Sequence, residues 1–200
     1  VLGQGSAGSV TVGSINAKGV TLNAAASAKN AQVTTGKIVS TGGVFNVNVS
    51  ETGPSGSLNV GSISAAGAGV IVTAGNVGGG NITLGNVTNS KYVKVSTNAG
   101  GVINVNNIVA AGVIGGTGAS KSDAVVINDT GPVNGNVVQS VAGTLVTTSG
   151  NVKITAGHVT LGTVSDGGTL KVTATETGPV AASFSAKGAI VAKAVNATAS

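Results

Sequence analysis

The chain has 200 residues, of which 34 are Gly and 3 Pro, with no Cys, Met or Trp. Without cysteine there is no disulfide framework, zinc finger or thiol nucleophile, and glycine without a three-residue period excludes collagen. Charged residues make up 8%, against about 25% in an ordinary soluble domain, while a 41% apolar share and a mean hydropathy of +0.42 are too high for a disordered chain.

At the start, no basic segment precedes an apolar stretch, so no signal peptide is expected at Val1. The chain is expected to be a processed product or a segment of a longer repeat protein. Gly3-Gln4-Gly5-Ser6-Ala7-Gly8 matches the dinucleotide fingerprint by letters. That fingerprint works only between a strand and a helix, whose N-terminus holds the pyrophosphate, and no helix is expected here. Val, Thr, Ile, Asn and Gly dominate throughout, and each is a middling or poor helix former. The best helical candidate, residues 24–29, is too short to matter. No apolar run nears the roughly 18 residues of a membrane helix; the longest, Ile108 to Ile114, is broken by Gly112.

The dominant signal is alternation of apolar and small polar residues, the strand period, and it recurs. Gly8-Ser9-Val10-Thr11-Val12-Gly13-Ser14-Ile15 returns as Gly56-Ser57-Leu58-Asn59-Val60-Gly61-Ser62-Ile63. Further copies are Gly80-Asn81-Ile82-Thr83-Leu84-Gly85-Asn86-Val87 and Gly157-His158-Val159-Thr160-Leu161-Gly162-Thr163-Val164. Looser copies start at Ala31 and Gly101, and a weak one at Gly135. About a dozen residues into each copy comes a second short strand, as at Gly19-Val20-Thr21-Leu22, Gly69-Val70-Ile71-Val72, Tyr92-Val93-Lys94-Val95 and Gly168-Thr169-Leu170-Lys171-Val172. The pattern predicts an all-β fold: a single parallel β-solenoid (β-helix) domain over residues 1–200. It would have about eight rungs of 21–25 residues, with a loop insertion around 112–124. Stacked rungs bury together what none could bury alone. A core that narrow favours Val, Ile, Leu and Ala over aromatics, and Gly and Asn serve the tight corners.

A second recurrence is Glu51-Thr52-Gly53-Pro54, Asp129-Thr130-Gly131-Pro132 and Glu176-Thr177-Gly178-Pro179, each after a strand. It reads as one turn type lining one edge of the rod, about three and then two rungs apart. Asp129-Thr130-Gly131 matches the aspartic-protease tripeptide, but that chemistry needs two carboxylates sharing a proton, and the following Pro marks a turn. Gly115-Gly116-Thr117-Gly118-Ala119-Ser120-Lys121-Ser122 lacks the Gly before Lys of a phosphate loop and reads as a loop bulging from the solenoid. His158, the only histidine, is expected at an outward strand position with no acidic neighbour in sequence. Five acids are too few for a calcium-binding repeat array; a cation at the Glu/Asp-Thr-Gly turns stays open. Thr11, Thr83 and Thr160 fall at equivalent positions with Asn59 and Asn104 between them. That mixed row suits cross-rung hydrogen bonding better than an ice-binding Thr ladder. The sequons at Asn48, Asn81, Asn86, Asn128 and Asn196 follow from an Asn- and Thr-rich composition.

The repeats Asn81-Ile82-Thr83-Leu84-Gly85-Asn86-Val87 and Val10 to Ala24 resemble those of filamentous-haemagglutinin-type exoproteins, over about residues 8–192. The resemblance implies a right-handed parallel β-helix exported by a bacterium as a stalk or adhesin. The expectation is therefore a non-enzymatic, extracellular, cell-surface structural protein that self-associates end to end into filaments or continues in a longer chain. No catalytic, cofactor-binding or metal residue is assigned, and no cofactor is expected. The ten Lys give a net charge of +5 and are scattered along the sequence with no Arg. That argues against nucleic acid and leaves surface polysaccharide as a candidate partner. Two alternatives stay open: a glycan-binding or carbohydrate-active β-helix module, and a β-sandwich pilin-like filament subunit joined by strand exchange.

Overall fold

The computed structural model describes residues 2–5, 8–26, 31–43, 45–54, 56–75, 80–97, 101–114, 122–129, 136–139, 143–176 and 180–200. Every strand pairing among them is parallel. One sheet stacks β1 (Leu2–Gly5), β3 (Val20–Ala26), β5 (Val47–Glu51), β7 (Gly69–Ala74) and β9 (Tyr92–Thr97). It continues through β12 (Asp123–Asp129), β15 (Asn151–Ala156), β18 (Thr169–Ala174) and β21 (Ala194–Ala199).

The second sheet begins with long strands, β2 (Ser9–Ala17), β4 (Gln32–Ser40), β6 (Ser57–Ser64) and β8 (Asn81–Ser90). Beyond β8 it divides into two arms. The first half of β8 pairs with β10 (Val102–Val105), followed by β13 (Asn136–Gln139), β16 (His158–Leu161) and β19 (Ser183–Ala186). The second half pairs with β11 (Ile108–Ala110), followed by β14 (Thr144–Thr147), β17 (Thr163–Asp166) and β20 (Ile190–Val191).

This is the β-solenoid that the repeat predicts. The column Val10, Val33, Leu58, Ile82, Ile103, Val137, Val159, Phe184 returns to the same register seven times, giving about seven turns where the repeat suggested about eight. At the usual strand spacing that is a rod of roughly 35 Å. The weak copy at Gly135 is a true rung, since Asn136 lies between Val102 and His158 in register. The all-parallel pairing excludes the β-sandwich alternative, whose sheets would be antiparallel. Residues 24–26, the start of the best helical candidate, belong to strand β3. The expected insertion falls between β11 and β12, with residues 115–121 outside the described set.

Alternation drives the core. In β8 the inward residues Ile82, Leu84 and Val87 are buried, whereas Thr83 and Asn86 face out. Burying one such aliphatic side chain contributes about 2 kcal/mol, and the inward columns repeat it on every rung. The step from Leu84 to Val87 spans three residues rather than two, and Gly85 occupies the extra position. Gly13, Gly36, Gly61 and Gly85 form the column where the strand bends. A Cβ on Gly36 would strike the carbonyl oxygen of Gly13, one on Gly85 that of Gly61, and one on Gly61 would lie 2.9 Å from that of Gly36. The bend is tight enough that no side chain fits between the rungs.

The narrow core also accounts for the aromatics. Phe45, 61% exposed, lies outside over Gly19, and the Tyr92 ring lies over Gly69. Phe184 is partly buried at the final rung.

Candidate functional site

Three polar features stand out against this apolar frame. The first is a pair of inward corner columns. At the end of the first sheet the register aligns Ala24, Glu51, Ala74, Thr97 and Asp129, continuing to Ala156, Ala174 and Ala199. The positions are small or polar because the chain turns there and leaves backbone groups to satisfy. Glu51 is buried and accepts hydrogen bonds from the N–H of Gly53 and, at 2.9 Å, from that of Gly75. Burial pushes its carboxyl above the ordinary range, and these two backbone donors pull against that shift. Thr97 donates to the Gly80 carbonyl at 2.7 Å and accepts from its N–H at 3.0 Å.

Glu51 and Asp129 therefore share one column three rungs apart. That is about 14 Å, far too distant for carboxylates to share a proton. Glu176 lies two residues beyond the column position of Ala174. Residues 130–132 and 177–179 of these turns lie outside the described set.

The other corner carries Thr147 and Asp166, paired in register. Thr147 donates to Asp166 Oδ1 at 2.6 Å, the Gly168 N–H reaches the same oxygen at 3.0 Å, and Asp166 Oδ2 is buried without a hydrogen-bond partner. These are structural plugs that tie one rung to the next.

The second feature surrounds His158. Its sequence neighbours include no acid, yet the fold places Glu176 Oε1 3.8 Å from Nε2, with the Glu176 side chain 3% exposed and that of His158 23% exposed. On the next rung, Ser183 Oγ lies 2.9 Å from Nδ1. Three residue types of a hydrolytic triad thus meet across rungs. A working triad needs the imidazole hydrogen-bonded on both sides, and 3.8 Å is too long for a hydrogen bond. What the arrangement does is clasp β16 to β19 through Ser183, with the Glu176 carboxylate near the other ring nitrogen.

The third feature is the outward surface. Thr11, Thr34, Asn59, Thr83, Asn104, Val138, Thr160 and Ser185 form one row in register. The equivalence of Thr11, Thr83 and Thr160 holds, Thr34 joins them, and Val138 interrupts the row. Nearby, Asn86 accepts from the Nδ2 groups of Asn106 at 3.0 Å and Asn107 at 2.8 Å, an amide cluster where the sheet divides.

On the first sheet the fold corrects the picture of scattered lysines. Lys94, Val126, Lys153 and Lys171 occupy one outward column. Lys153 and Lys171 line a shallow groove of about 260 Å3 together with Asp123, Asn151, Val152 and Thr169.

Of the sequence motifs, Leu2–Gly5 is a strand, residues 6–7 are undescribed, and the chain from Ser9 is again strand. The fingerprint at Gly3 to Gly8 thus leads into a strand rather than the helix it needs. Of the phosphate-loop-like run 115–122, all but Ser122 lies outside the described residues. Among the described residues no group of three or more His, Cys, Asp or Glu is placed to hold a metal ion. The chain matches no family model, no curated protein and no solved structure.

Proposed function

We propose that this chain is a non-enzymatic structural rod of an extracellular bacterial surface fibre or adhesin, assembled by end-to-end stacking of solenoid rungs or by continuation in a longer chain. The carrying observation is the last described rung. Strands β19, β20 and β21 each have a partner on one side only, and Val191 and Val195 are 65% and 48% exposed. At the opposite end, Val12 and Ile15 of β2 are only half-buried. The register columns carry apolar residues to both ends: Phe184 continues the Val10 column, and Ile190 continues the Ile15 column through Ile38, Ile63, Val87, Ile108, Leu145 and Val164. A second copy set on that rung would extend each column and complete the open ladders, a heterologous contact that propagates.

The test is sedimentation and negative-stain microscopy of the purified chain against an Ile190→Lys variant. The expected result is filaments or concentration-dependent assembly in the parent, lost in a variant that keeps the parent's circular dichroism. A parent that stays monomeric at high concentration with no filaments overturns the assembly.

A further inference from the structure

We propose that the outward face of the first sheet, along Lys94, Lys153 and Lys171, binds a linear acidic polysaccharide running parallel to the rod axis. The inference rests on a different face from the one that carries the filament reading, and either can fail alone.

Lys153 and Lys171 are direct register partners, and Lys94 stands two rungs from Lys153 in the same column. Stacking like charges on neighbouring strands is unfavourable on its own. A solenoid that used Lys only for solubility would gain more by spreading them. Among the described residues none of the three lies within 4 Å of a carboxylate. The acid that lines the groove, Asp123, is 6% exposed and engaged by Asn151 at 3.4 Å. Asp123 offsets part of the charge at the groove, but none of the three ammonium groups is paired directly, and three cations against one buried acid leave the column net positive.

An apolar side chain interrupts that column. Val126 points outward between Lys94 and Lys153, yet it is only 9% exposed. Lys side chains beside such a residue can lay their methylene stems along it and keep their charged heads in water. Side chains packed in this way lose less freedom when they bind.

The flanks identify the class of polyanion. On either side of the Lys column the outward positions are Ser96, Asn128, Thr155 and Thr173, and Asn151 and Thr169. These supply hydroxyl and amide groups suited to sugar hydroxyls. The column has no Arg fork, and its nearest aromatic, Tyr92, is folded over Gly69. Base edges and stacked bases thus find little to engage. A polyuronate, with a carboxylate on each sugar and a repeat close to the rung spacing, fits a column whose charges lie one and two rungs apart.

The experiment uses the full 200-residue chain and immobilised polygalacturonate, with retention measured across a salt gradient. Two triple variants remove equal charge: Lys94→Gln/Lys153→Gln/Lys171→Gln, and Lys18→Gln/Lys37→Gln/Lys187→Gln, whose lysines are exposed elsewhere. All six side chains stand at the surface, and matching melting curves verify the folds. The first variant is expected to lose affinity by about five-fold or more, and the second by less than about two-fold. Equal losses would reduce the binding to net charge and overturn the proposal, as would a parent not retained at low salt. Tighter, ladder-dependent retention on double-stranded DNA than on polygalacturonate would overturn it in favour of nucleic acid.

Discussion

The two halves of the second sheet solve the same corner differently. From β2 to β8 one strand runs through the bend, and glycine at positions 13, 36, 61 and 85 lets successive backbones close on one another. From β10 onward the strand is cut in two at the same place. Asn106 and Asn107 stand where Gly85 and Asn86 stood, and they still bond back to the preceding rung. The Asn106 N–H reaches the Leu84 carbonyl at 3.0 Å, and the Val87 N–H reaches the Asn107 carbonyl at 2.8 Å. A continuous bend saves backbone hydrogen bonds at the cost of forbidding side chains. A divided one admits side chains and insertions, but leaves polar backbone groups to be satisfied by other means.

The sharpest way to break this contrast is to add one methyl group on each side of it. In Gly85→Ala the new Cβ runs into the carbonyl oxygen of Gly61, a backbone atom that cannot swing aside. The expected loss is about 3 kcal/mol, the upper range for forced overpacking. Asn106→Ala, one rung on, should cost less than about 1 kcal/mol, the worth of its exposed hydrogen bond to Asn86. Denaturant midpoints of the two variants measure the difference. Equal losses would show that the bend is not what demands glycine.

The same contrast separates what was legible in the sequence from what was not. The rung pattern was plain because Gly8-Ser9-Val10-Thr11-Val12-Gly13 and its copies repeat both the strand alternation and the corner. The shared column of Glu51 and Asp129 could be anticipated from their common turn sequence and spacing. The division of the sheet could not. It depends on which backbone groups pair around Asn106, and Asn is as ordinary at a corner as Gly. The meeting of His158 with Glu176 and Ser183 depends on side-chain direction across rungs of unequal length. The Lys column needed the register across the rung from Lys94 to Val126, which holds the insertion. Periodicity finds the rungs; it does not say which residues of different rungs face the same way.

A second, smaller effect should follow at Gln139. Its column otherwise reads Val12, Thr35, Val60, Leu84, Val105, Leu161 and Ala186, so an amide is unexpected there. The divided strand supplies the reason. Gln139 Oε1 accepts from the Gly162 N–H at 3.2 Å, and its Nε2 donates to the Thr163 carbonyl at 3.3 Å, bridging the break between β16 and β17. Gln139→Leu leaves both groups without that partner and should cost about 2 kcal/mol, although the new side chain is more apolar. The reciprocal Leu84→Gln buries an amide where the strand is unbroken and should also destabilise. If Gln139→Leu raises the denaturation midpoint instead, the amide is not bridging the break.

The smallest expected effect is a pH dependence on the unbroken side. Glu51 fills a corner with a buried carboxyl, whereas the later rungs of the same column carry Ala156 and Ala174. Burial raises its folded pKa above the ordinary carboxylate value of 4.5. The folded state therefore keeps its proton to higher pH than the unfolded chain does. The stability this contributes is whole below the unfolded pKa and is lost as pH rises through the raised folded value. Melting temperatures taken between about pH 4 and about pH 7 should fall with rising pH in the parent, and the fall should shrink in Glu51→Gln, which cannot titrate. Gln keeps one oxygen for a single backbone donor, so the variant loses part of the link to Gly53 or Gly75 at every pH. The slope, and not the absolute stability, is the diagnostic. An unchanged slope in Glu51→Gln would show that Glu51 does not carry the pH dependence and would leave it a hydrogen-bonding plug alone.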